Sequence, residues 1–75
     1  MDQYKNLNGD SGVIAYEISD DAIKVEFKDK SLYLYNYSVP GRHHVDSMKK
    51  HAIAGRGLNG YINSDVRKQY AARLR

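Results

Sequence analysis

The run Ser31-Leu32-Tyr33-Leu34-Tyr35-Asn36-Tyr37-Ser38-Val39-Pro40 decides the fold of this chain, because its tyrosines stand two residues apart. In a β-strand, residues at that spacing share a face, so the three phenol rings would line one side of a sheet. Just upstream, Ala22 to Lys28 alternates strictly, with Ile23, Val25 and Phe27 on one face and charges on the other. That is the pattern of a half-buried antiparallel strand. Gly12 to Ser19 reads as a strand before it, closed by the turn residues Asp20 and Asp21. Short turns between consecutive strands predict a three-stranded antiparallel meander.

Pro40 closes the meander, and the period changes. Val45, Met48, Ala52 and Ile53 recur at helical spacing, and Gly55 is a natural stop. Beyond the link Gly55-Arg56-Gly57, a second helix is predicted to carry Leu58, Ile62, Val66, Tyr70 and Leu74 four apart. Strands first and helices after define an α+β fold of order βββαα, both helices packed on one face of the sheet. Its expected core is Ile23, Val25, Phe27, Val45, Met48, Ile62 and Val66. The 75 residues suffice for one domain, residues 1–75, with 1–10 a partly loose lead-in rich in Asp, Asn and Gly.

The turn Lys28-Asp29-Lys30-Ser31 leaves two registers open. A two-residue turn at Asp29-Lys30 pairs Phe27 with Leu32 and turns the tyrosines outward, as a platform for stacking. A three-residue loop, Lys28 to Lys30, pairs Val25 with Tyr33 and Ile23 with Tyr35, so that the tyrosines face the helices. Either asks a residue near Lys30 for positive φ, at a cost of about 1 kcal/mol. The inward register is favoured because two short helices need more apolar cover than Ile23, Val25 and Phe27 supply. Tyr33 and Tyr35 are then expected to point at the helices, with Tyr37 nearer the rim.

Charge divides the chain. Residues 1–37 carry four Lys against seven Asp and Glu, whereas residues 38–75 carry eight Lys and Arg against two Asp. A basic half of this size suggests an anionic partner, most simply a nucleic-acid backbone, or else a solvated helical surface. The absence of cysteine removes disulfides and thiolate metal sites and fits a reducing compartment. The longest apolar run, Val13-Ile14-Ala15-Tyr16, is far short of a membrane span, and the first residues lack the apolar core of a signal peptide. A cytoplasmic location is the expectation.

Candidate nucleic-acid contacts are Arg42, Lys49, Lys50, Arg56, Arg67 and Lys68, with Tyr37 available for base stacking. Gly55, Arg56 and Gly57 form a candidate anion-binding loop, since glycines let amides converge beside a guanidinium. The competing reading is a plain helix–helix turn. Arg67 could equally tie the basic half to Asp20, Asp21 or Asp29. Arg73 and Arg75 would offset the dipole in the last helical turn. His43, His44 and His51 lack metal-ligand spacing, and Ser47 near two of them has no third catalytic group, so neither a metal, a cofactor nor an enzyme is expected.

The ordered set Val25-Glu26-Phe27, Tyr33-Leu34-Tyr35, Val39-Pro40 and Asn63-Ser64-Asp65-Val66-Arg67-Lys68-Gln69-Tyr70 resembles the KTSC domain family over roughly residues 11 to 74. That family is named for its occurrence at the C-terminus of some lysyl-tRNA synthetases. The chain departs from the pattern at Lys30, where a turn glycine is usual. The synthetase connection implies RNA as the partner. Two functions are thus expected: a small non-catalytic RNA-binding module, or a protein-interaction or inhibitory module that docks an acidic protein through the same basic surface.

Overall fold

In the computed structural model, which describes residues 1–7, 9 and 11–75, the hairpin at Lys28–Ser31 takes the inward register. Val25 pairs with Tyr33 and Ile23 with Tyr35. Lys30 adopts φ 74° and donates its N–H to the Phe27 carbonyl at 2.9 Å, so the positive φ falls where expected. Asp29 stabilises the turn by accepting from the backbone N–H and the hydroxyl of Ser31. Paired residues share a face, which sets Tyr33 and Tyr35 beside Val25 and Ile23.

The chain is α+β, but among the described residues its sheet has five strands where three were expected. They are β1 (Asp2–Gln3), β2 (Val13–Ser19), β3 (Ala22–Phe27), β4 (Leu32–Asn36) and β5 (Ala72–Arg73), antiparallel neighbours in chain order. Helix α1 (Arg42–Ala54) and helix α2 (Leu58–Tyr61) lie between β4 and β5 in sequence, and α2 continues as a wider turn over Ile62–Val66. There the N–H of Arg67 reaches back five residues to the Ile62 carbonyl. Among the described residues, no helix is long and apolar enough to cross a membrane.

Both extra strands correct the sequence reading. The start of the lead-in is tied down, whereas residues 8 and 10 lie outside the described residues: Asp2 and Gln3 pair with Tyr16 and Ala15, and Tyr4 is buried. The Tyr4 hydroxyl accepts the Leu58 N–H at 3.2 Å, and Leu7 donates to the Gly55 carbonyl at 2.7 Å. A buried phenol with a partner for its hydroxyl is a strong anchor, and it outweighs the loop-like composition around it. At the other end, the predicted helix stops at Val66 instead of reaching Leu74. Arg67 takes φ 48°, and Ala71 and Leu74 donate to the carbonyls of Leu34 and Leu32 at 2.8 and 2.7 Å. The open edge of β4 captures the last residues, overriding the helix propensity of Lys68, Gln69, Ala71 and Ala72.

The core joins Tyr4, Val13, Ile23, Val25 and Tyr35 of the sheet layer to Val45, Met48, Ala52, Leu58, Ile62 and Val66 above it. Six of the seven expected core residues are buried; Phe27 is half-buried at the sheet margin, edge-on to Tyr33 with ring centroids 5.7 Å apart. Ile53 is exposed, because one helical step beyond buried Ala52 turns it about 100° away. Gly55 ends α1 as read, with φ 79° and its N–H on the carbonyls of His51 and Ala52.

Candidate nucleic-acid interface

The tyrosine run meets three different surroundings as it crosses the sheet. Tyr35, in the middle, is 1% exposed. Burial pushes its pKa up to about 12, with smaller contributions from Tyr33 and Tyr70. Tyr37, just past β4, donates its hydroxyl to Asp46 on α1 at 2.8 Å. Tyr33, at the other end, is half-buried because α2 stops short of covering it; Tyr70 packs edge-on at 4.6 Å instead.

The early end of α2 and the late arrival of β5 leave a cleft over Tyr33. Its volume is about 480 Å³, within the range of about 300–1,000 Å³ usual for small-ligand sites. Phe27, Tyr33, Tyr35 and Tyr70 supply aromatic walls; Asp29, Ser31 and Asn63 supply polar groups; Arg67, Lys68 and Arg73 supply positive charge. The Arg73 guanidinium stands 5.4 Å from the centre of the Tyr33 ring, a cation–π contact. Among the described residues, no carboxylate lies within ion-pair distance of these three cations. Among the described residues Asp29 is the one carboxylate in the lining, and the Ser31 hydroxyl and amide hold it below its ordinary pKa.

Of the candidate contacts read from sequence, Arg67 and Lys68 line this cleft. Arg42, Lys49 and Tyr37 gather elsewhere, along α1. There the two cations lie 5.4 and 5.2 Å from the Tyr37 ring centre, Arg42 faces Asp46 at 3.6 Å, and Lys49 donates to the Asp20 carbonyl at 2.9 Å. Lys50 is exposed on α1. Arg56 and Gly57 border a second, smaller cleft of about 230 Å³ with Tyr4, Asn6, Ser11 and Asn59.

The Gly55-Arg56-Gly57 link is largely occupied by its own chain. The N–H groups of Gly55 and Arg56 cap α1, and that of Leu58 is taken by Tyr4. Lys5 covers Gly55 so closely that an added Cβ would sit 2.7 Å from the lysine Cβ. The tie between basic and acidic halves is made not by Arg67 but by Arg75, which reaches Glu26 at 2.7 Å, and by Lys49. Arg73 and Arg75 therefore do not cap a helix.

The histidines also have structural neighbours. His44 Nδ1 and the Tyr61 hydroxyl lie 2.8 Å apart, and the His51 ring sits 5.3 Å from that of Tyr61, fastening α2 to α1. No group of three or more metal-ligating side chains occurs among the described residues. Tyr33, Tyr70 and Arg73 line the cleft but were not among the contacts read from sequence. The inward register pointed at Tyr33, but reading a helix through Leu74 hid the return of Arg73 to the sheet. Compared with protein-family models, curated proteins and solved structures, the chain matches none.

Proposed function

We propose that the protein is a non-catalytic module that binds single-stranded RNA at the Tyr33–Tyr70 cleft, in the cytoplasm. The observation that carries this reading is the meeting of three cations, Arg67, Lys68 and Arg73, none ion-paired to a carboxylate among the described residues, with a half-open tyrosine wall. Unpaired bases offer flat faces for the rings, and each stacked base contributes about 1–3 kcal/mol. Phosphates on either side meet the guanidinium and ammonium groups. The resemblance to the KTSC family, with its synthetase connection, supports the same ligand, and the cysteine-free sequence suits a reducing compartment.

Labelled single strands titrated at two salt concentrations test the reading. Each phosphate neutralised adds roughly 0.7 to the slope of log affinity against log salt on a single strand. Arg67→Ala and Lys68→Ala should each lower that slope by about one such contact and weaken all sequences alike, because a phosphate contact carries no base information. Undetectable affinity at low salt would reassign the basic cleft to an acidic protein partner.

A further inference from the structure

The cleft contains one feature that phosphate binding does not need and would be opposed by: the carboxylate of Asp29. Its Oδ1 is occupied by the hydroxyl and the backbone N–H of Ser31, whereas Oδ2 has no hydrogen-bond donor among the described residues. The Ser31 contacts hold the exposed carboxylate in the cleft lining and, with the Arg73 charge, keep it ionised, so at neutral pH it can only accept. Asn63 lines the same cleft with an amide that both donates and accepts.

We infer that the cleft selects guanine among the bases of a single strand, Asp29 Oδ2 accepting from the base's Watson–Crick edge while Tyr33 and Tyr70 contact its ring. The inference rests on the RNA reading above. Guanine alone presents two adjacent donors on that edge, N1–H and the N2 amino group. Adenine and cytosine place a ring-nitrogen lone pair beside their single amino group, which an ionised carboxylate repels. Uracil offers one N–H between two carbonyls. An acceptor-only group is therefore matched to guanine and mismatched, in part or whole, to the others. Arg67 and Lys68 remain for the flanking phosphates, so charge supplies the affinity and Asp29 the choice of base.

Uracil heptamers with a single central guanine, adenine or cytosine, and the all-uracil strand, provide the probes. The guanine strand should bind about tenfold more tightly than the rest, near the lower limit for a specific base contact. Asp29→Asn keeps an oxygen for Ser31 but removes the charge. It should abolish the preference, lowering guanine-strand affinity relative to the others, while thermal melting confirms that the variant is folded. If Asp29 merely repels phosphate, that variant will instead tighten all four strands by the same factor, and the inference is overturned. Equal binding of the four strands by the unmodified protein overturns it too, yet leaves the RNA reading standing. Failure of every strand to bind at low salt removes the RNA reading itself, and the inference with it.

Discussion

Two ends of one tyrosine run carry the same ingredients and put them to different use. At the Tyr37 end, two cations meet an aromatic ring, but Asp46 takes both the Tyr37 hydroxyl and the Arg42 charge, and the Asp20 carbonyl takes Lys49. At the Tyr33 end, Arg73 lies over the ring with its Nε on the Arg75 carbonyl, whereas Arg67 and Lys68 line the cleft beside it with no carboxylate in ion-pair reach among the described residues. A cation with an internal partner is already partly neutralised and held in place, so it has less to offer a ligand. Pairing, not residue type, separates the fastening from the candidate site. The two ends are separated by buried Tyr35, which belongs to the core that supports both.

The largest effect should therefore come from removing that shared support. Tyr35→Ala deletes a ring that is 1% exposed, and large aromatic truncations in a core cost about 3–5 kcal/mol. Small domains have about 5–15 kcal/mol to lose at most, so urea unfolding should show a marginal or unfolded protein, with both ends disrupted together. A variant of unchanged stability would mean that the two ends are independent.

Alkaline pH gives a smaller version of the same test. The pKa of Tyr35 is pushed up to about 12 by its burial, against about 10 in an unfolded chain. Below pH 10 both states hold the proton and the stabilisation is intact. Between pH 10 and 12 the unfolded chain releases its proton while the folded protein keeps it, so stability falls as pH rises. The loss should approach about 2–3 kcal/mol over that window. Comparing urea midpoints of the native protein and Tyr35→Phe isolates this contribution from other groups titrating in the same range. Parallel curves for the two proteins would contradict it.

The sheet's inner strands were legible because a period of two and the turn chemistry at Asp29 and Lys30 act locally. Even the inward register followed from counting apolar cover. The edges were not legible. Residues 67 to 75 are fair helix formers, and only the free hydrogen-bonding edge of β4, a long-range feature, turns them into β5. Tyr4 was hidden for a related reason, since its anchoring depends on Leu58 far along the chain. Of the site, Arg67 and Lys68 could be named from charge alone, but charge could not say that Arg42 and Lys49 are engaged internally. Asp29 was visible as a turn residue and as a possible partner of Arg67, but not as part of a cleft lining, which depends on what the late strand brings opposite.

The smallest expected effects are at the Tyr37 end, and they decide whether the contrast between the two ends holds. The Tyr37 hydroxyl bond to Asp46 is charge-assisted, which in a dry site is worth about 1.5–3 kcal/mol. Asp46 is about two-fifths exposed, with a side-chain value of 42%, so water competes for it. A double-mutant cycle with Tyr37→Phe and Asp46→Asn should accordingly give a coupling of about 0.5–1 kcal/mol by urea unfolding. RNA binding supplies the sharper reading. If this end is a fastening, Arg42→Ala leaves the salt slope of single-strand binding unchanged, whereas Arg67→Ala reduces it by roughly 0.7. Equal slope losses for the two would make both ends part of one phosphate path, with the tyrosine run beneath its whole length.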